Sequence, residues 1–501
     1  MYSDTRATAG ERTTTDRRGA ALVLLCGTQL LLLVDFSIVN IALPDIRQAL
    51  GFTPAGLSWV VSAYALTFGG FLLLGGRLAD LLGRRRLFVA GLVLFGLASL
   101  VGGLAQSSEV LVVMRAIQGG GAALIAPALL SLITMLYPEG PERDRAFGWF
   151  TAASASGFGL GVLAGGVLTS ALGWRAIFLM NVPLIAVAIP VAYVLLREPS
   201  RPSLRGRQAL VRGAQRRGRS AAVPGAEASE ASQLAEPRHR YDVAGAVLGV
   251  AGLTMVSYGL TVAPRSGELG RGVAFVATGV VLLGILLLVE RKASDPLLPL
   301  SLFRLPNLAP ALGVGALGAG VLGTATLLLS LYLQEVRDLS ALWAGVSFLP
   351  FGVAIALAAQ AVPWLTTRLG QRGALAAAAL LMAAGAGALS ALAAGDGHLV
   401  AVLVAMLAIA AGFGVFYTLF TLAGTSGVAP AQQGIAAGLV NTATQVGTAF
   451  AAAILVTLAG VHSGVDGAAA GGFAVAFAVA AAILVAAAAL ALATIRDATA
   501  R

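Results

Sequence analysis

Few residues in this sequence could do chemistry, and the most telling lie inside long apolar runs. Asp35 is the only acid well inside such a run. An ionised carboxylate costs roughly 3 kcal/mol at the centre of a membrane span. An acid in apolar surroundings can instead take up and release a proton near neutral pH. The alternative is a structural acid that caps a polar helix contact or lies near the outer interface. Arg115 is the matching base, with Gln118 one helical turn on and Gly119, Gly120 and Gly121 following. Because arginine keeps its charge, Arg115 needs a carboxylate, a carbonyl or water. It either pairs with or tunes Asp35, or snorkels outward.

A second constellation is the short, charged run from Gly76 through Arg77, Asp80 and Gly83 to Arg84, Arg85 and Arg86. Gly83 permits a tight turn between two spans. Asp80 could pair with Arg84, or with Arg143 and Arg145 on the next loop of the same side, and such a network could latch one conformation. Plain charge anchoring would explain the arginines but not the acid. A third feature is the glycine series Gly157, Gly159, Gly161, Gly165 and Gly166. Glycine at i and i+4 lets helix backbones approach closely. No strand precedes the series, so it is no dinucleotide loop. Asn40, Asn441 and Gln445, with Thr442 and Thr444, are polar groups inside apolar runs, suited to lining a cavity or to bonding between helices.

These residues must be positioned by membrane helices. The chain has 501 residues, 58% hydrophobic and 11% charged. A soluble chain carries about a quarter charged residues, and this length would imply roughly three soluble domains with too little polar surface to cover them. Apolar segments of about 20 residues recur near 20–43, 56–76, 87–106, 110–136, 147–171, 176–196, 243–263, 272–290, 307–332, 343–364, 374–394, 399–424, 434–460 and 470–494. Long unbroken runs select helices over a barrel. The expected fold is an all-α polytopic membrane protein with fourteen transmembrane helices.

Charge sets the orientation. An even number of spans puts both termini on one side, and with that side cytoplasmic, 27 of the 33 basic residues fall inside, as the positive-inside rule requires. The net charge of +10 is therefore an address and argues against nucleic acid. Trp59, Trp149, Trp174, Trp343 and Trp364 lie near span ends, where interfacial aromatics belong. The expected division is a cytoplasmic N-tail (1–19), a six-helix bundle (20–196), a cytoplasmic linker (197–241), an added helix pair (242–291), a cytoplasmic loop (292–306), a second six-helix bundle (307–494) and a cytoplasmic C-tail (495–501). The linker holds ten arginines and reads as a solvated connector that could touch anionic headgroups. Leu82-Gly83-Arg84-Arg85 recurs as Leu369-Gly370-Gln371-Arg372, with Thr367 standing where the first copy has Asp80. A repeat between halves suits transporters, whose substrate site lies where the repeats meet.

Other chemistries lack their residues. The only lysine, Lys292, follows no glycine, so there is no phosphate-binding loop and ATP-driven transport is not expected. Cys26 is the only cysteine and three histidines are scattered, so no metal site is expected. No catalytic constellation marks an enzyme, and no segment is long enough for the soluble domain of a sensor.

Several of these runs resemble motifs of the major facilitator superfamily, and within it of the fourteen-span drug/proton antiporters. The Asp80 loop resembles the superfamily signature between spans 2 and 3. Arg115-x-x-Gln118-Gly119-x-Gly121 resembles the span 4 motif, and Val34 to Pro44 the span 1 motif of that branch. Gly161-Val162-Leu163-Ala164-Gly165-Gly166 is similar to the span 5 antiporter motif, except that Val162 stands where proline is usual. Trp174-Arg175-x-x-Phe178-x-x-Asn181-Val182-Pro183 and Asp295-Pro296-Leu297-Leu298-Pro299 also fit. The resemblance implies two six-helix bundles plus an inserted pair, with Asp35 carrying the proton and Arg115 modulating it. It further implies that the Asp80 loop latches the halves during alternating access. The implied activity is proton-driven efflux of amphipathic small molecules across the cytoplasmic membrane, conferring resistance. Its partners would be the substrate, protons and the bilayer, with no cofactor and a monomeric state. A dedicated exporter of an endogenous antibiotic, siderophore or lipid is the alternative, and a proton-coupled uptake carrier a further one.

Overall fold

The structure is a computed structural model that describes residues 4–137, 140–196, 243–263, 267–292, 300–395, 398–428, 432–461 and 469–497. The expected 197–241 linker and the 295–299 motif lie outside the described residues. The first half contains α1 (Asp4–Leu50), α2 (Pro54–Leu57), α3 (Trp59–Leu82), α4 (Arg84–Gly103), α5 (Ser108–Leu136), α6 (Pro141–Leu172), α7 (Ala176–Leu179) and α8 (Asn181–Leu195). After it come α9 (Val243–Val262), α10 (Leu269–Lys292) and a 3-10 turn at Leu300–Arg304. The second half contains α11 (Leu308–Leu331), α12 (Ala341–Ser347), α13 (Leu349–Ala359), α14 (Val362–Ala393), α15 (Leu399–Thr425), α16 (Gln433–Val461) and α17 (Ala469–Thr494). Thirteen described stretches are long and apolar enough to cross a membrane. The remaining crossing of the fourteen is α3, whose apolar stretch Trp59–Leu72 is shorter. The chain is an all-α, multi-pass membrane protein, because only internally satisfied backbones survive in lipid.

Boundaries differ from the expected spans where the backbone breaks rather than where hydropathy falls. α1 runs on through Pro44 to Leu50. α11 passes into a π turn at Tyr332–Val336. The sixth and tenth crossings are each split by a short break, before Asn181 and at Phe348.

Within the first half, α1 packs on α6, α3 on α5, and α4 on α5 and α8. Within the second, α14 packs on α15 and α17, α11 on α16, and α13 on α15. The α9–α10 pair forms a hairpin that leans through α9 on α3 and α16. The halves meet where α3 packs on α16, α6 on α12 and α13, and α1 on α11. Two hydrogen bonds fix that seam: Thr442 Oγ1 donates to the Gly69 carbonyl at 2.8 Å, and Ser330 Oγ to the Asn40 carbonyl at 2.7 Å.

The sequence repeat is also a structural one. Gly83 (φ 100°) separates α3 from α4, and Gly370 (φ 70°) breaks α14 at the equivalent loop; both adopt a backbone that side-chain-bearing residues rarely take. The second loop has no acid of its own. Instead Asp497, beyond the end of α17, accepts the Arg372 backbone N–H at 2.9 Å and pairs with Arg372 Nε at 3.2 Å. Asn307 ties the same tail down through two bonds to the Arg496 backbone, each 2.9 Å. Because Arg372 and Asp497 are 56% and 39% exposed, Asp497→Ala should cost under about 1 kcal/mol of stability, read as a small shift of thermal unfolding in detergent.

Candidate functional site: a buried acid–base cluster

Asp35 is fully buried in the first bundle, and α3, α4, α5 and α8 supply the polar groups of its cluster. α5 brings Arg115, whose Nη1 donates to Asp35 Oδ2 at 2.9 Å. Arg115 is only 1% exposed. Its Nε donates to the Val60 carbonyl on α3 at 2.9 Å, and Nη1 also reaches Gln118 Oε1 at 3.1 Å. Its guanidinium stacks over the Tyr64 ring, 4.4 Å from the centroid. Gln118 Nε2 donates to Ser99 Oγ on α4 at 2.8 Å and lies 3.4 Å from Asp35 Oδ1. α8 brings Asn181, whose Nδ2 donates to Asp35 Oδ1 at 2.7 Å and lies 3.3 Å from Ser99 Oγ. The Asp35 side chain thus accepts on both oxygens, and the guanidinium meets a carboxyl group, a carbonyl, an amide and an aromatic face. Buried charges persist only when paired and hydrogen-bonded in this way.

Glycines set the depth of the cluster. A Cβ on Gly119 would run into Thr67 Oγ1 and the Tyr64 carbonyl on α3, and one on Gly121 would lie 2.9 Å from Phe95 N on α4. These contacts let α5 sink between α3 and α4, so that Arg115 and Gln118 reach Asp35. On the other side of α1, Gly157, Gly161 and Gly165 form one face of α6. A Cβ on Gly161 would meet Ser37 Oγ and sit 2.7 Å from the Val34 carbonyl, on both flanks of Asp35. Gly166 turns instead toward α12, with 2.7 Å from its would-be Cβ to the Ala341 carbonyl. Val162 is buried at this seam, and α6 continues as helix through it from Pro141 to Leu172. Gly161→Ala should therefore force α1 from α6 and cost about 1–3 kcal/mol. Gly159→Ala, where nothing lies within 4 Å, should be neutral or slightly stabilising. Thermal unfolding of the two variants checks the pair.

The Asp80 loop is brought near several partners, but the Asp80 side chain lies outside the described residues. Arg84 Nη1 donates to the Ser131 carbonyl at 3.2 Å and Arg85 Nη1 to the Leu196 carbonyl at 3.1 Å. Arg85 also stacks on Tyr193, and Arg143 on Phe147. Arg145 is exposed, and Gly76 is half-buried.

The polar residues meet at the seam between halves. Gln334 Nε2 donates to the Ile41 carbonyl at 3.0 Å and to Ser330 Oγ at 2.9 Å. Asn40 is buried, with Oδ1 unpaired. Gln445 is buried against Gly69, and Asn441 is half-buried. Beyond this seam, at the end of the bundle where α1 and α11 finish, Arg47 Nη1 pairs with Glu335 Oε1 at 2.9 Å across the two halves. A cavity of about 900 Å³ opens there, lined among others by Asp45, Arg47, Thr169, Glu335 and Asp338. Among the described residues no group of three or more His, Cys, Asp or Glu could hold a metal ion.

Sequence reasoning placed Asp35, Arg115 and Gln118 but gave no role to Ser99, Tyr64 or Asn181. Asn181 had a signal, its place in the Trp174–Pro183 motif. Ser99 and Tyr64 had none, being small or aromatic residues in apolar runs.

The sequence profile of the Major Facilitator Superfamily matches residues 25–452. The cephamycin export protein CmcT of Amycolatopsis lactamdurans is 37% identical over 461 residues, covering 90% of this chain and 87% of that protein. The puromycin resistance protein pur8 of Streptomyces alboniger is 37% identical, over 88% of this chain and 82% of its own length. The lincomycin resistance protein of Streptomyces lincolnensis is 32% identical, over 91% and 87%. Among solved structures, the nucleoside transporter NupG aligns with a TM-score of 0.65 at 12% identity, over 96% of this chain and all of that one. The inward-open E. coli xylose transporter XylE aligns with a TM-score of 0.61 at 14% identity, over 97% and 98%.

Proposed function

From a chain that belongs to the major facilitator superfamily, and is thus a transporter rather than an enzyme, we propose proton-coupled export of amphipathic small molecules by alternating access. The observation that carries this reading is the fully buried Asp35–Arg115 pair, in relatives named for antibiotic export and resistance. A lone buried pair is weak support for stability, so a switching role is the better account. Asp35 gives up its proton on one side of the membrane and regains it on the other, and the Asp80 loop latches the halves on the cytoplasmic side. The membrane potential supplies about 2.3 kcal/mol per charge per 100 mV.

The charge distribution supports cytoplasmic termini, and with that orientation the Arg47–Glu335 end is the outer one. The cross-half bonds at Asn40, Ile41 and Arg47 lie toward that end, while Leu82, Trp149 and Trp364 at the opposite end are exposed. The bonds at Asn40 and Ile41 support a seam that is closed beneath the cavity at the outer end. Asn40, Asn441 and Gln445 would then line the substrate path. No cofactor takes part, and the monomer is the working unit.

Everted membrane vesicles test the reading. Puromycin, an amphipathic aromatic cation, should accumulate on energisation and leave again when a protonophore collapses the gradient. Accumulation that ignores the protonophore would overturn the coupling. The relatives' names also favour a second reading, a dedicated exporter of one product. A resistance panel separates the two: protection against one chemical class supports the dedicated exporter, and protection across several supports broad efflux.

A further inference from the structure

Asn181 makes the shortest bond that Asp35 receives, 2.7 Å from Nδ2 to Oδ1. The residue is fully buried, yet its own Oδ1 meets no hydrogen-bond partner. An unpaired buried carbonyl costs about 1–3 kcal/mol, so its retention beside the one deeply buried acid calls for a use. A side-chain amide has a donor end and an acceptor end of nearly equal size, and a half-turn about its terminal bond exchanges them.

We propose that Asn181 is a positioning residue that reads the protonation state of Asp35, turning its donor end to the carboxylate and its acceptor end to the protonated acid. The proposal rests on the reading that Asp35 carries the proton. With Asp35 ionised, Oδ1 accepts from Asn181 at 2.7 Å and from Gln118 at 3.4 Å, and Oδ2 accepts from Arg115. A hydronium ion gives up a proton, its O–H bond breaking as a new one forms at Oδ1, so the carboxyl becomes neutral and a water molecule is released. Two donors then face each other across 2.7 Å. A half-turn of Asn181 replaces that clash with an O–H donating to Oδ1 of the amide. Loss of the proton reverses the turn.

No other neighbour can do this. Arg115 has donors only. Gln118 is engaged at both ends, its Oε1 by Arg115 and its Nε2 by Ser99. The charged or titratable groups facing Asp35 are Arg115 from α5 and Tyr64 from α3. α4 and α8 contribute the uncharged Ser99 and Asn181 and α6 its glycine face, while α11 meets α1 further on, at Asn40, through the neutral Ser330.

Infrared difference spectra of the full-length protein in lipid nanodiscs, recorded across a pH titration, test this without any substrate. The band lost in Asp35→Asn reports the acid, and the band lost in Asn181→Leu reports the amide. In the wild type the two should change together, with one midpoint. In Asn181→Leu the acid should hold its proton to a pH about one unit higher, because a donor to the charged form is worth more than an acceptor to the neutral one. Asn181→Ala repeats the measurement if the leucine variant does not fold. A silent amide band in the wild type, or an acid midpoint unmoved or lowered in the variants, overturns the proposal and leaves Asp35 as proton carrier intact. A wild type with no titrating Asp35 band overturns the carrier reading and this one with it.

Discussion

Replacing Asp35 with asparagine is expected to abolish proton-driven accumulation in everted vesicles, to the level of vesicles without the protein, while the variant still folds and inserts. The two side chains have nearly the same shape, so the packing of α1 against α6 is kept. Asparagine still offers one acceptor to Arg115 Nη1, now at 2.9 Å from Oδ2. What it cannot do is bind and release a proton. Folding survives for a reason internal to the mechanism. In the proposed cycle the protonated acid leaves Arg115 without a counter-charge as well, and Arg115 keeps the Val60 carbonyl, Gln118 Oε1 and the Tyr64 ring. Substrate exchange down its own gradient should persist, since it needs no net proton movement. Full coupled transport by Asp35→Asn would sink the proposed role.

The second large effect is at Arg115. Arg115→Ala should cost about 3–5 kcal/mol, because it strands a carboxylate in an apolar interior. Arg115→Lys should fare little better in transport, with at least a tenfold loss in rate. A lysine keeps the charge but not the fork, and one ammonium cannot serve the Val60 carbonyl, Asp35 and Gln118 while lying flat on Tyr64. A double-mutant cycle separates stability from function. Asp35→Asn combined with Arg115→Met removes both charges, so thermal stability should recover most of the single-mutant loss, with a coupling of about 3 kcal/mol. Transport should stay at background. Recovery of transport in the neutral pair would show that neither charge carries the proton.

Much was legible in the sequence because membrane insertion is a local property. Whether a segment of about 20 residues enters lipid depends on its own side chains. The fourteen crossings and the turns at Gly83 and Gly370 could therefore be placed without knowing what packs on what. The lone acid at Asp35 was legible for the same reason, since a carboxylate in an apolar run stands out against its neighbours. The small mismatches, such as α1 running past Pro44 and the split at Phe348, arise where backbone geometry rather than hydropathy ends a helix.

The tertiary structure decided which residues share the proposed proton site. Asp35 meets residues 80, 83 and 146 positions away, and no spacing rule joins four helices across such separations. Ser99 carries no local mark, because a single small polar group in a span serves packing as readily as chemistry. The acid missing from the second loop was found only in space, where the chain's end delivers Asp497 to Arg372. Composition and order along the chain determined a membrane transporter and its buried charge. The close approach of helices, at Gly119 and Gly161 above all, decided how that charge is held.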